Sequence, residues 1–146
     1  MAHVLVADDS PTVRHLLCSI LRNASHSVDE AANGVEALAI LHASSQPMVV
    51  LLDVVMPKMG GIGLLYEMES SPKLRDRDAF ILMTATPDAI PPKAIIELLD
   101  RFSIPLVVKP IEPSHLLLLV DHAAGRLKNN PFTKTNGDWD TKESTG

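Results

Sequence analysis

Five times along this chain a short apolar run breaks off at a polar residue and gives way to a segment with helical spacing, and that alternation limits the fold more than any other feature. His3–Ala7 stops at Asp8-Asp9. Ser10-Pro11 then offers a helix cap and a proline suited to the first helical position, and Val13, Leu16, Leu17, Ile20 and Leu21 follow at helical intervals. A weaker second unit starts with Ser27–Ala31, turns at Asn33-Gly34 and continues through Val35, Leu38 and Leu41. After Pro47, the run Met48–Leu52 is apolar at every position and ends in Asp53, as expected of a central parallel strand covered on both faces. A helix over about 62–70 follows it. The fourth strand, Ala79–Met83, ends in Thr84 and is followed by a helix over about 92–102. The fifth, Ile104–Val108, ends in Lys109-Pro110, with Glu112 in the turn before a last helix over about 113–127. Strand-helix alternation at this spacing predicts an α/β fold: a doubly wound, five-stranded parallel sheet with five helices and right-handed crossovers.

The 146 residues allow one domain with a proper core and no second ordinary one. We expect that domain over 1–127. The stretch from 128 to 146 is polar and aperiodic, and reads as a disordered tail in which Trp139 is an ordinary exposed aromatic. A net charge of -5 argues against direct nucleic-acid binding. Cys18 is the only cysteine, so no internal disulfide can form and a reducing compartment is favoured. No apolar run exceeds five residues, as at Leu116–Val120, and acidic residues follow the N-terminus too soon for a signal peptide. The expected setting is the cytoplasm, away from any membrane.

The chemically notable residues all fall where strands end: Asp8 and Asp9 after the first, Asp53 after the third, Thr84 after the fourth, Lys109 after the fifth. In an open α/β sheet that edge binds ligands at the point where strand order reverses. With the order 2-1-3-4-5, Asp8, Asp9 and Asp53 would share one crevice. Three carboxylates within about 5 Å repel by about 3 kcal/mol per pair at an effective dielectric of 20. A hard divalent cation relieves that repulsion, and a site of one or two carboxylates, waters and a phosphate suits Mg²⁺. Lys109 adds a positive charge and Thr84 a hydroxyl donor. Taken singly, an aspartate at a strand end is ordinarily a turn or cap residue. Joint placement at four strand ends is what that plainer explanation leaves out.

In order and spacing, ADDS at Asp8-Asp9, LLDVVMP around Asp53, MTA around Thr84 and VVKP at Lys109-Pro110 resemble the receiver domain of two-component response regulators, over about residues 2 to 127. The resemblance implies a flavodoxin-like sheet of order 2-1-3-4-5 and a single-domain, chemotaxis-regulator-like phosphoprotein. By it, Asp53 accepts a phosphoryl group from the phosphohistidine of a sensor histidine kinase or phosphotransfer protein. Asp9 would contact Mg²⁺ directly, Asp8 mainly through water, and the backbone carbonyl of Val55 would add a ligand. Thr84 and Lys109 would hold the phosphoryl oxygens, and the Lys109-Pro110 bond would be cis. Such a domain is no enzyme in the usual sense, although it catalyses its own phosphorylation and slow dephosphorylation. Output would pass to an unknown protein target, or to a second copy, through the fourth helix, fifth strand and fifth helix.

Three departures from the family pattern stand out. Leu106 occupies the position where receivers usually carry Tyr or Phe, which moves the expected output to the loop Thr84–Pro91 and the fourth helix. Gly60-Gly61 replaces the commoner Asp-Gly, loosening that turn; a nucleotide-binding reading of GGIG lacks the full fingerprint. Val55 and Thr86 flank the path of the hydrolytic water, and Val55 has no polar side-chain atom, so a long-lived acyl phosphate is expected. The apolar excess of Ile95, Ile96, Leu98 and Leu99, and of Leu116–Val120 with Ala123 and Ala124, either marks an association surface or is covered by neighbours. Two other functions stay open at this point. One is a constitutive interaction domain, supported by Leu106 alone. The other is a phosphatase with an aspartyl intermediate, which would need a carboxylate at position 55.

Overall fold

A computed structural model describes residues 1–85 and 92–128. The expected tail, Trp139, Thr86 and most of the Thr84–Pro91 loop lie outside the described residues. The elements run β1 (His3–Ala7), α1 (Pro11–Asn23), β2 (Ser27–Ala31), α2 (Gly34–Ala43), β3 (Val49–Asp53), α3 (Gly61–Ser70), α4 (Pro72–Arg77), β4 (Ala79–Thr84), α5 (Lys93–Arg101), β5 (Leu106–Val108) and α6 (Pro113–Lys128). All strands are parallel, in the order β2-β1-β3-β4-β5.

Alternation along each strand builds two cores, one on each face of the sheet. Val4 and Val6 of β1, with Val49 and Leu51 of β3 and Ile81 and Met83 of β4, pack with Leu17, Cys18 and Leu21 of α1 and Leu116 and Val120 of α6. Leu5, Val50, Leu52 and Leu82 point the other way, against Leu41 of α2, Leu64, Leu65 and Met68 of α3, Leu74 of α4 and Leu98 of α5. Each such leucine, fully buried, contributes about 1.5–3 kcal/mol. Because β3 is covered on both sides, all five of its residues are buried, Asp53 included.

Local signals set the helix starts. The Ser10 side chain accepts from the Val13 amide at 3.3 Å, with Pro11 following it. Asn33 accepts from the Glu36 amide, and Glu36 reaches back to the Ala32 amide, a reciprocal cap on α2. The short helix α4 was not expected from the sequence, so the fourth and fifth expected helices are α5 and α6. Its signal, Ser71-Pro72, repeats the cap-proline pair of α1, and Ser71 accepts from the Leu74 amide. Six residues are too few to show helical periodicity.

Strand β5 is shorter than expected. Ile104 donates to the Leu99 carbonyl, and Pro105, which has no N–H, offers only its carbonyl to the Leu82 amide. The apolar excess of the last two helices is resolved as well: Ile95, Leu98, Leu99, Leu116, Val120 and Ala123 are buried. What stays exposed is Ile96 (45%), Leu106 (38%), Val108 (46%) and Leu118 (68%).

At the sheet edge away from the strand ends, Arg77 fastens four segments. Its guanidinium donates to both carboxylate oxygens of Asp78 at 2.9 Å and to the carbonyls of Leu41 and Ser44, and Asp78 Oδ1 also accepts from the Met48 amide. Arg77 and Asp78 are both buried, and burial raises the Asp78 carboxyl above its ordinary value against the opposing pull of Arg77. No helix among the described residues is long and apolar enough to cross a membrane.

Candidate functional site

The reversal of strand order between β1 and β3 brings together the ends of four strands. Ladder hydrogen bonds continue past them, from Asp8 N–H to Ala31, from Val54 N–H to Met83 and from Lys109 N–H to Thr84, so the loops leave the sheet in fixed directions. Asp8, Asp9 and Asp53 each offer a carboxylate oxygen, and the three oxygens lie within 4.8 Å of one another. Asp8 and Asp53 are buried and Asp9 is exposed.

Lys109 arrives from β5 and binds both buried acids. Its Nζ donates to Asp8 Oδ2 at 2.7 Å and to Asp53 Oδ2 at 3.0 Å. The second oxygen of Asp8 accepts from the Ser10 amide at 2.9 Å, so both of its oxygens are engaged. Among the described residues, Asp53 Oδ1 has only a long contact, 3.4 Å, from the Val55 amide. Asp9 makes no hydrogen bond or ion pair to another described residue. Within the described residues, the least tied oxygens therefore belong to Asp9 and Asp53.

Burial pushes the Asp53 carboxyl above its ordinary value near 3.8; Lys109 pulls it down and Asp8 pushes it further up. For Lys109, burial alone would favour the neutral amine, but hydrogen bonds and charges from Asp8 and Asp53 outweigh that and hold it above its ordinary value. The arrangement keeps one ammonium and a surplus of negative charge in a small space. An all-oxygen donor set of this kind fits a hard divalent cation such as Mg²⁺.

The remaining sequence candidates also lie at this edge. Thr84 is buried at the end of β4, one residue beyond the partner of Asp53 in the ladder, and pairs with Val108. Val55 is 73% exposed just beyond β3. The Lys109-Pro110 bond is cis. Two glycines let the β3–α3 turn pack tightly against the backbone at the end of β3: a Cβ on Gly60 would lie 2.5 Å from the Val54 carbonyl oxygen, and one on Gly61 2.5 Å from that of Asp53. The sequence reading missed Arg14, whose guanidinium donates to the Asp8 carbonyl at 2.7 Å. One turn into α1, it carries no sequence signal beyond ordinary helical placement.

The profile of the response regulator receiver domain matches residues 4–121, and the chain belongs to that family. Among curated relatives, a probable transcriptional regulator, ycf27, of Cyanophora paradoxa is 33% identical over 92% of this chain and 54% of its own length. The two-component response regulator ORR11 of Oryza sativa is 30% identical over 77% of this chain and 74% of its own. The response regulator-like protein APRR7 of Arabidopsis thaliana is 28% identical, with only 17% of it covered, so the chain spans about half or less of several curated relatives. Of solved structures, a CheY-like receiver domain protein of Methanospirillum hungatei superposes with a TM-score of 0.75 at 26% identity, covering 87% of this chain and 97% of that one. Chemotaxis protein CheY4 of Vibrio cholerae gives 0.69 at 26% identity, covering 84% and 98%.

Proposed function

We propose that this receiver domain takes a phosphoryl group onto Asp53 from the phosphohistidine of a histidine kinase or phosphotransfer protein. The observation that carries the reading is the convergence of Asp8, Asp9 and Asp53 on one point, with Lys109 bridging the two buried members. Asp9, with no tie to another described residue, would bind Mg²⁺ directly. Asp8, whose oxygens are both engaged, would act mainly through water, and Asp53 and the Val55 carbonyl would complete the protein ligands. The cation would supply charge neutralisation and alignment of the phosphoryl oxygens.

The chain's own groups do the rest. An Asp53 oxygen attacks phosphorus in line, the P–N bond breaks, and the electron pair leaves on the imidazole, which takes up a proton. Lys109 exchanges its bond to Asp53 for one to a phosphoryl oxygen, and the Thr84 hydroxyl donates to another. Catalysis here is positioning and electrostatics, with no separate acid or base on the protein. The constitutive-interaction reading has no use for a lysine bound to two buried acids. The phosphatase reading lacks a carboxylate at position 55.

Slow hydrolysis of the acyl phosphate follows from Val55, whose apolar side chain stands exposed beside Asp53 and cannot orient water. A Val55→Asn variant should lose the phosphoryl group faster; an unchanged rate would count against this. Output passes to a protein target or a second copy through the exposed apolar residues Ile96, Leu106, Val108 and Leu118 of α5, β5 and α6. The direct test is intact mass after incubation with Mg²⁺ and acetyl phosphate. We expect one phosphoryl group, dependent on Mg²⁺ and absent in Asp53→Asn. No gain of mass would refute the reading.

A further inference from the structure

Asp9 faces the pocket yet has no side-chain restraint among the described residues, so its direction is set by the backbone that carries it. The peptide joining Asp8 to Asp9 is held by Arg14, which donates from Nη1 to the Asp8 carbonyl at 2.7 Å. Arg14 is held in turn. Its Nε donates to Glu30 Oε1 of β2 at 3.2 Å, and Glu30 Oε2 lies 3.5 Å from Arg22, which also donates to the Val28 carbonyl. The Arg14 side chain is only 16% exposed, and its own amide bonds to the Ser10 carbonyl in the first turn of α1. Thus one planar guanidinium fixes the angle between β2, the helix start and the acidic loop, a task for which its fork of donors is suited and a lysine less so.

We propose that Arg14 is a positioning residue for the acidic pocket: oriented by Glu30, it holds the Asp8–Asp9 peptide and so aims the Asp9 carboxylate at the bound cation. The inference rests on the reading of the pocket as a Mg²⁺ site. Glu30 balances the charge of Arg14, so the effect works through orientation and not through net charge. Groups that orient ligands in this way change metal affinity by about ten- to a hundredfold when removed.

The test is a Mg²⁺ titration of the full chain, without phosphodonor, followed by amide chemical shifts. In Arg14→Met the dissociation constant should rise about tenfold. Arg14→Lys, which keeps the charge but loses the planar fork of donors, should fall in between, and Arg22→Met, which touches Glu30 but not the acidic loop, should match the wild type. With acetyl phosphate, Arg14→Met should raise the half-saturating Mg²⁺ concentration while the rate at saturating Mg²⁺ stays within about twofold, the pattern of a lost orienting contact. Should Arg14→Met fail to fold, Arg14→Lys and Glu30→Gln decide by the same constant, each expected to weaken binding. Wild-type affinity in the Arg14 variants, or an equal loss in Arg22→Met, overturns the inference and leaves the Mg²⁺ site standing. A wild-type protein that binds no Mg²⁺ overturns the site itself.

Discussion

Removing Lys109 tests the electrostatics of the pocket directly. Its ammonium lies 2.7 Å from Asp8 and 3.0 Å from Asp53, which at an effective dielectric of 20 gives gross attractions of about 6 and about 5.5 kcal/mol. Much of that offsets the cost of taking the charges out of water. In Lys109→Met the attraction disappears, while the carboxylates, within 4.8 Å of one another, keep repelling by about 3.5 kcal/mol per pair. Breaking one side of such a buried pair typically costs about 3–5 kcal/mol. With a urea slope of about 2 kcal/mol per M, the unfolding midpoint of the metal-free variant at pH 7 should fall by about 2 M.

Two dependences separate this cause from a simple packing loss. Mg²⁺ should stabilise the variant more than the wild type, because the ammonium that competes for the same oxygens is gone. Acidification should narrow the deficit. Burial already raises the Asp53 carboxyl above its value in the unfolded chain, and Lys109 opposes that rise, so the variant's Asp53 takes up a proton at still higher pH. In the window between the unfolded and folded values the native state binds more protons, and its stability grows as pH falls. For the wild type, the raised Lys109 contributes stability that is full below its unfolded value near 10.5 and is lost as pH rises through the folded one. A metal-free variant whose midpoint stays within about 0.3 M of the wild type at pH 7, or one that gains less from Mg²⁺, would refute the reasoning.

Further predictions follow from other parts of the molecule. Arg77→Met leaves Asp78 buried and three carbonyl or carboxylate groups short of a donor, and should cost about 3–5 kcal/mol in urea unfolding with Mg²⁺ affinity retained. Cys18 is 1% exposed and burial pushes its thiol up to about 11, so at pH 8 its alkylation should track global unfolding; prompt labelling of native protein would contradict this burial. Gly61→Ala drives a methyl into the Asp53 carbonyl oxygen and Leu82, and should destabilise by about 1–3 kcal/mol with weaker Mg²⁺ binding. Titration of the variant with Mg²⁺ during thermal unfolding measures both effects.

Most of the fold was legible because burial on both faces writes itself into the strands: β3 and β4 are apolar up to their last residues, Asp53 and Thr84, where the chemistry begins. Even the weak strand β2 was placed over Ser27–Ala31, as found. The missed helix α4 owes its stability to Leu74 in the core and to the Arg77 network, neither of which leaves a periodic trace in six residues. Strand β5 was read two residues too long because Ile104 is apolar, while the limit is set by the missing donor of Pro105. At the site, Asp8, Asp9, Asp53 and Lys109 could be assembled from their positions at strand ends. Arg14 could not, since its partner is a main-chain carbonyl brought near by the path of the β1–α1 turn.

The bonds from Lys109 to Asp8 and Asp53 span 101 and 56 positions of sequence. During synthesis on the ribosome, both acids and their strands emerge well before the lysine does. The pocket is thus finished by the last of this sheet's five strands to be made: until β5 docks, its acids lack their built-in counter-charge, and competence to receive a signal arrives together with completion of the sheet.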